Sequence, residues 1–170
     1  MKKLLVLFII LTIFLSGCNS VFDLNDYIYN LGNFTLPDDK EFIQTIESLD
    51  TLDKICNYMN DNFIPIEYNE NVFDPYTMWQ VKTGDCNDYA SFAIFCANYH
   101  NYETYQIWLI FPDFSHIVAV YKIDNGYLVS DWDYLHEKVY NSFSEIMQFF
   151  YCKNYIVYNY NMNIVEQITK

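Results

Sequence analysis

The stretch that decides the fold reads Gly84-Asp85-Cys86-Asn87-Asp88-Tyr89-Ala90, a polar turn that runs directly into an apolar segment with helical spacing. We expect a helix from Asp85 to about Tyr99, with Cys86 at its start. A thiolate at a helix N-terminus is stabilised by the positive end of the helix dipole. The stretch therefore predicts a reactive cysteine at the beginning of a buried helix.

Two polar residues further along can complete a nucleophilic site with this cysteine. His116 opens the apolar stretch 116–121, and Asp131 closes the apolar stretch 126–131. A histidine that takes the thiol proton and an acid that orients this histidine are the other two parts of a cysteine-histidine-aspartate site. We therefore predict Cys86 as nucleophile, His116 as base and Asp131 as orienting acid.

The other two histidines fit the role of the base less well. If the helix continues, His100 lies roughly 21 Å from Cys86, because each helical residue adds about 1.5 Å. His136 follows both strands, and the only acid close downstream of it is Glu137. For His116 itself, a structural role at the start of a strand is the alternative.

The hairpin between His116 and Asp131 decides whether these two side chains touch. Residues 124–126 read Asp-Asn-Gly, a strong hairpin signal. A tight turn centred on the last two of them would set Asp131 opposite Val120, whereas a wider loop over 122–125 would set Asp131 opposite His116. Both registers leave the two side chains on one face of the sheet. We expect the wider loop, because in this comparison only it brings them into contact.

Helical patterns precede strand patterns along the chain, which predicts an α+β fold with one domain. Apolar residues of 42–63 step by three and four, as in helices with one buried face, and a capping pattern predicts a break near Asp50. We expect loop over 64–75, and a helix from a capping box at Ser142 to about Cys152. The expected strands are 105–111, 116–121, 126–131 and, as the last one, 155–160.

The N-terminus resembles a bacterial lipoprotein leader. Lys2 and Lys3 precede an apolar run that is shorter than the roughly 20 residues a membrane-spanning helix needs. The following Leu15-Ser16-Gly17-Cys18 resembles a lipobox, which predicts acylation of Cys18 and attachment to the extracytoplasmic face of a bacterial membrane. A plain signal peptide is the alternative. The expected division is 1–17 signal peptide, 18–38 lipidated tether with a short helix near 22–29, and 39–170 folded domain.

The acidic composition limits the partners of this protein. The chain contains no arginine and has a formal net charge of −13, which becomes −15 without Lys2 and Lys3. Such a chain repels nucleic acid and anionic lipid headgroups, so we expect no binding of nucleic acid. We attribute the acidity to solubility, and a preference for basic substrates is the weaker alternative. The sequence does not indicate an oligomeric state.

Four cysteines follow Cys18. Cys96 lies on an apolar run in the middle of the expected helix, which favours a buried free thiol. In an exported protein, Cys56 and Cys152 are the one pair that we consider for a disulfide.

The motif Gly84-Asp85-Cys86-x-Asp88-x-Ala90, followed by His116 and Asp131, resembles the transglutaminase-like superfamily. Its spacing is close to that of the bacterial transglutaminase-like cysteine proteinases, and Pro75 sits where that family often carries a proline. The resemblance covers roughly residues 50–135. It implies a papain-like fold, with N-terminal helices packed on an antiparallel sheet and with the three catalytic roles assigned above.

Some members of that superfamily bind calcium through the residues that flank the cysteine. Here Asn87 stands where those members carry a glutamate, so Asp85 and Asn87 are only weak calcium candidates. We expect Asp85 to cap the helix instead, and we expect no cofactor.

The chemistry of such a site predicts attack of the Cys86 thiolate on an amide carbonyl of a peptide or protein. The backbone N–H of Cys86 can donate to the oxyanion, and Gln80 is a weak candidate for the second donor. Water as acceptor gives peptidase or amidase activity, which we expect at an exposed site, whereas an amine acceptor gives transamidation. A non-catalytic binding or exclusion lipoprotein is the alternative from another class.

Overall fold

The structure, a computed structural model, describes residues 28–67 and 71–169. The predicted leader and all but the end of the helix expected near 22–29 lie outside these residues, and no helix is present at 28–29. The described part has an α+β fold, as expected. After a 3-10 turn at Leu31–Asn33, its helices are α1 (Lys40–Ser48), α2 (Leu52–Asn62), α3 (Pro75–Val81), α4 (Cys86–Tyr99) and α5 (Phe143–Phe149).

The break near Asp50 separates α1 from α2, as the capping pattern predicted. The Thr51 hydroxyl accepts a hydrogen bond from the backbone N–H of Lys54 at 3.3 Å and so caps α2. The Asp39 carboxylate caps α1 in the same way. Both helices bury their apolar faces, at Phe42 and Ile46 in α1 and at Leu52, Ile55, Cys56 and Met59 in α2.

Two elements between α2 and Cys86 were not predicted. Strand β1 (Ile64–Pro65) pairs in parallel with β2 (Thr83–Gly84), so the expected loop over 64–75 is wrong at its beginning. Helix α3 lies between these strands, with Asp74 as N-cap and Pro75 in its first turn. Proline at the first position of a helix is a recognised start signal, and here we had assigned Asp74-Pro75 to a turn.

The large sheet is antiparallel throughout, with the strand order β6-β5-β4-β3-β7-β8. The expected strands agree with four of the observed ones to within two residues, but β7 is not the last strand, because β8 pairs with it. The short β6 was not predicted either. The strands are β3 (Thr104–Ile110), β4 (Ser115–Ile123), β5 (Gly126–Asp131), β6 (Tyr134–Leu135), β7 (Asn154–Asn159) and β8 (Ile164–Ile168).

Alternate residues of the central strands face two separate cores, as the period of two in a strand requires. Ile117 and Ala119 belong to the core that α1–α4 cover, whereas Val118 and Val120 belong to the core that α5 covers. Helix α5 ends at Phe149 and is therefore shorter than expected. Its Ser142 cap is present, but the Glu145 side chain reaches back to Asn141 and does not complete the expected box.

The cysteines of the described chain are all free. Cys56 and Cys152 lie in the two different cores, on opposite sides of the sheet, so the disulfide that we considered is wrong. Cys96 is buried, as expected. Within the described ranges, no helix combines the length and the apolar character that crossing a membrane requires.

Candidate active site

The turn before Cys86 is held by two carboxylates. Asp85 caps α4 by accepting hydrogen bonds from the backbone N–H groups of Asn87 and Asp88, at 3.0 and 3.4 Å. The Asp88 carboxylate is buried and accepts in return from the backbone N–H of Asp85 at 3.0 Å and from that of Phe73 at 2.9 Å. This reciprocal capping box begins the helix at Cys86, as the sequence predicted.

Gly84 makes room for this turn. A Cβ atom at Gly84 would lie 2.6 Å from Cβ of Asp88 and 2.7 Å from the Met78 sulfur, closer than carbon side chains come in proteins. The Gly84 carbonyl also accepts a hydrogen bond from the backbone N–H of Ile66 at 3.0 Å. The glycine of the motif is therefore required by packing against the capping aspartate.

His116 and Asp131 are in contact, but the hairpin register is neither of the two that we considered. Ile123 pairs with Gly126 and Ala119 with Ser130, which leaves a two-residue turn at positions 124–125. The expected wider loop is wrong. In the observed register Asp131 is placed across from residue 118, so it is a diagonal neighbour of His116 on the same face. Diagonal neighbours lie within reach of long side chains, which the prediction had not allowed for.

The hydrogen bond between these two side chains is short and partly shielded. The Nε2 atom of His116 donates to Oδ1 of Asp131 at 2.7 Å, with 18% and 28% of the two side chains exposed. Burial lowers the pKa of His116, but the bond to Asp131 and the interaction with Cys86 outweigh this effect and raise the pKa of His116 to about 9. The arrangement thus favours an imidazolium between two groups that can carry negative charge.

Cys86 occupies the first position of α4 and is half-buried. Its thiol interacts with the His116 ring, and because Nε2 is engaged with Asp131, Nδ1 remains for the sulfur. The structure therefore brings together the three residues that we predicted as nucleophile, base and orienting acid.

The other two histidines serve different surroundings. His100 lies at the far end of α4, where its Nε2–H donates to the backbone carbonyl of Ile46 at 2.8 Å. His136 packs edge-on against Phe149 at a centroid distance of 5.0 Å. Burial lowers the pKa of His136, which the nearby Asp131 only partly offsets.

Trp132 is a site residue that the sequence analysis missed. Its backbone has a φ of 55°, a left-handed conformation that is costly for a bulky side chain and typical of functional sites. Its ring centroid lies 5.1 Å from that of Tyr89 and 6.2 Å from that of His116. Trp132 therefore covers the side of the His116 ring, and its position directly after Asp131 was the signal that could have indicated it.

A second missed pair lies beneath the first turn of α4. The Asn87 side-chain oxygen accepts from Nε2 of Gln106 at 3.3 Å and from the Ser91 hydroxyl at 3.5 Å, and all three residues are buried. Gln106 is a polar residue within an apolar strand, which was the available signal. The bond ties the first turn of α4 to β3.

Gln80 and the weak calcium candidates lie in other environments. Gln80 is exposed and lines a groove together with Glu41 and Lys82, and none of the three candidate catalytic residues lines that groove. The structure lends no support to Gln80 as an oxyanion donor, and this role stays a prediction. Asp85 is engaged as helix cap and Asn87 with Gln106. Across the ranges that the structure describes, no three His, Cys, Asp or Glu side chains form a metal-binding group.

Fold and site together define a class: a papain-like α+β domain with a cysteine at a helix start and a histidine-aspartate pair on neighbouring strands. The family model of the transglutaminase-like domain matches residues 44–162. The chain therefore belongs to the transglutaminase-like domain family.

Comparison with known proteins adds one structural neighbour. This is a crystal structure from Parabacteroides distasonis ATCC 8503, named as that of a candidate protease, with a TM-score of 0.48 and 12% sequence identity. The match covers 83% of this chain but only 29% of that protein. No curated protein matches the sequence.

Proposed function

We propose that this protein is a thiol enzyme that hydrolyses amide bonds in peptides or proteins. One observation carries the proposal: the His116 ring is hydrogen-bonded to Asp131 and also interacts with the thiol of Cys86, at the N-terminus of α4. These are the relations that a nucleophile, its base and an orienting acid need. Membership of the transglutaminase-like family supports the same class of chemistry.

The reaction begins with transfer of the thiol proton from Cys86 to His116. The thiolate then attacks the amide carbonyl, and the carbonyl electron pair moves onto oxygen. The N-cap bonds of Asp85 use the N–H groups of Asn87 and Asp88 and not that of Cys86, so the Cys86 N–H can donate to this oxyanion. When the tetrahedral intermediate collapses, the C–N bond breaks and His116 returns its proton to the leaving amine.

Water completes the cycle in this proposal. His116 takes a proton from water, the resulting hydroxide attacks the thioester, and the Cys86 sulfur leaves and is reprotonated. Asp131 holds the ring in the required tautomer throughout. The partial exposure of His116 and Asp131 lets water reach the site, which favours hydrolysis over transfer to an amine.

The proposed location is the extracytoplasmic face of a bacterial membrane, with acylated Cys18 as the anchor and residues 18–38 as the tether. The support for this is the lipobox-like sequence before Cys18. Cys18→Ser should release the protein from membranes or block its processing. A correctly cleaved Cys18→Ser protein that still fractionates with membranes would overturn the anchor.

Alkylation of the full chain by iodoacetamide tests the catalytic proposal. We expect Cys86 to react much faster than the three buried thiols near neutral pH, and His116→Ala to slow this reaction by removing the cation beside the sulfur. Turnover of a peptide amide should vanish in Cys86→Ala and persist in Cys152→Ala, the matched control. Comparable alkylation of all four thiols, unchanged by His116→Ala, would instead favour a binding or exclusion module.

A further inference from the structure

The cleft beside the candidate active site has an acidic and aromatic lining. It has a volume of about 580 Å³ and is bounded by β1, the following Ile66 and Glu67, and the segment 131–136. Cys86 and His116 do not line it, but it adjoins them through Asp131 and Trp132, which belong to both. A substrate that reaches Cys86 therefore has part of its length in or next to this cleft.

Two carboxylates of the cleft have no cation to pair with. Within the described ranges, neither Glu67 nor Asp133 forms an ion pair, and no lysine lines the cleft. The third carboxylate, that of Asp131, already accepts from His116. His136 also lines the cleft, and its lowered pKa keeps it neutral near pH 7. The unbalanced charge of the cleft is therefore negative.

Aromatic rings form the walls between these carboxylates. Trp132 and Tyr134 line the cleft, and Tyr134 is 61% exposed, which is more than packing alone would leave uncovered. Below Trp132 lies Tyr89, whose buried hydroxyl has no hydrogen-bond partner among the described residues. Its pKa rises to about 12, through burial first and through the Asp133 carboxylate second, which places Asp133 near this hydroxyl.

We propose that this cleft binds a positively charged side chain of the amide substrate, with Asp133 and Glu67 pairing its charge and Trp132 and Tyr134 contacting its aliphatic stem. The chemistry matches a lysine or arginine side chain, because each joins an apolar stem to a cationic head and a cation is attracted to aromatic faces. This inference rests on the proposed function, since the cleft gains its meaning from the neighbouring Cys86. It assigns a substrate preference that the acidic composition alone had attributed only to solubility.

Binding to the full chain carrying Cys86→Ala tests this inference without catalysis. The probes are Nα-acetyl-lysine amide, Nα-acetyl-arginine amide and the uncharged Nα-acetyl-norleucine amide, titrated while protein NMR signals are followed. We expect both cationic amides to shift the Trp132 indole signal and to bind about tenfold more tightly than the norleucine amide, a preference that weakens as salt is added.

Charge-removing variants locate the preference. Asp133→Asn should weaken binding of the lysine amide about fivefold and Glu67→Gln about twofold, with little change for the norleucine amide. Glu47→Gln, an exposed carboxylate on α1, is the matched control and should change neither. Equal affinity for lysine and norleucine amides, shifts that avoid the cleft, or equal effects of the Asp133 and Glu47 variants would overturn the inference.

Iodoacetamide labelling of the unmodified chain separates this failure from failure of the proposed function. Fast labelling of Cys86 together with no preference for cationic amides would reject the cationic subsite and leave the thiol chemistry standing. Slow labelling of Cys86 together with cleft binding of the lysine amide would reject the catalysis and retain the subsite.

Discussion

The first turn of α4 and its middle differ, although one helix contains both. The first turn is tied by the Asp85 and Asp88 carboxylates, and its Cys86 is half-buried and interacts with His116. One helical stretch further on, Ser91–Ala97 is buried throughout, and burial raises the pKa of the Cys96 thiol well above its ordinary value. Two cysteines ten residues apart on one helix therefore have opposite chemistry.

This difference teaches that surroundings, and not helix formation, decide the reactivity of a thiol. Both cysteines lie on the same regular backbone, but only Cys86 combines a helix N-terminus with a histidine partner. Cys96 has neither and functions as a small apolar residue of the core. Variants that alter one end and leave the other intact can test each part of the contrast.

The largest effect should come from Asp131→Asn, which leaves the hydrogen-bonding shape but removes the charge beside His116. In the comparable serine site the matching change costs about 10⁴ in rate, and we expect a loss of similar order here. The measurement is kcat on a peptide amide, with circular dichroism as the check on the fold. A loss below about tenfold would contradict the role of Asp131 as orienting acid.

Gly84→Ala should disrupt the turn that starts the helix. The new methyl would meet Asp88 and Met78 at distances that force the capping carboxylate to move. We expect a decrease of about 2–3 kcal/mol in the free energy of unfolding, measured by urea denaturation. Gly32→Ala is the control: the nearest atom to its methyl is a side-chain oxygen of Asn161, which can move aside. Equal losses in both variants would contradict this account of the turn.

Cys96→Ser should act on the middle of the helix alone. A hydroxyl placed in this fully buried site costs about 1–3 kcal/mol of stability, because it loses hydration. The alkylation rate of Cys86 should not change. Cys152→Ser provides the comparison: the Cys152 thiol already lies within bonding distance of the Ile110 and Asn154 carbonyls, so a hydroxyl there keeps a partner. A larger loss at Cys152 than at Cys96 would show that burial does not explain the difference.

The smallest effect should appear in the pH dependence of stability. The pKa of His116 is raised from 6.5 to about 9, so its stabilising contribution is fully present below pH 6.5 and is lost as the pH rises through 9. NMR titration of the His116 ring should show this pKa, and Asp131→Asn should lower it by about one unit or more. The stability gap between the wild type and Asp131→Asn should narrow above pH 9. A gap that widens there would mean that the sign is wrong.

Local signals carried the predictions that held. The start of α4 follows from Asp85 and Asp88 at the spacing of a capping box, and the break before α2 follows from the cap pattern at 50–53. The strands 126–131 and 116–121 were visible in their apolar runs. Helix α3 was within reach of the same reasoning, since Asp74 and Pro75 are a cap followed by an N-terminal proline.

Non-local packing explains the predictions that failed. The hairpin register is set by how β4 and β5 fit between two cores, and Gly126 accommodates it with a φ of 147° while packing against the Tyr140 carbonyl. Gln80 lies six residues before Cys86 in sequence but faces a different groove, because α3 and β2 intervene. Trp132 and Gln106 reach the site only through the arrangement of the strands.

The sequence by itself determined where α4 begins, which residues are the candidate nucleophile, base and acid, and that helices precede an antiparallel sheet. These properties depend on caps, side-chain period and turn residues, each of which acts over a few neighbouring positions. The tertiary structure decided that His116 meets Asp131 diagonally, that Cys56 and Cys152 lie on opposite sides of the sheet, and that an acidic cleft adjoins the site. Those properties depend on which distant segments pack together, and short-range patterns contain no record of that choice.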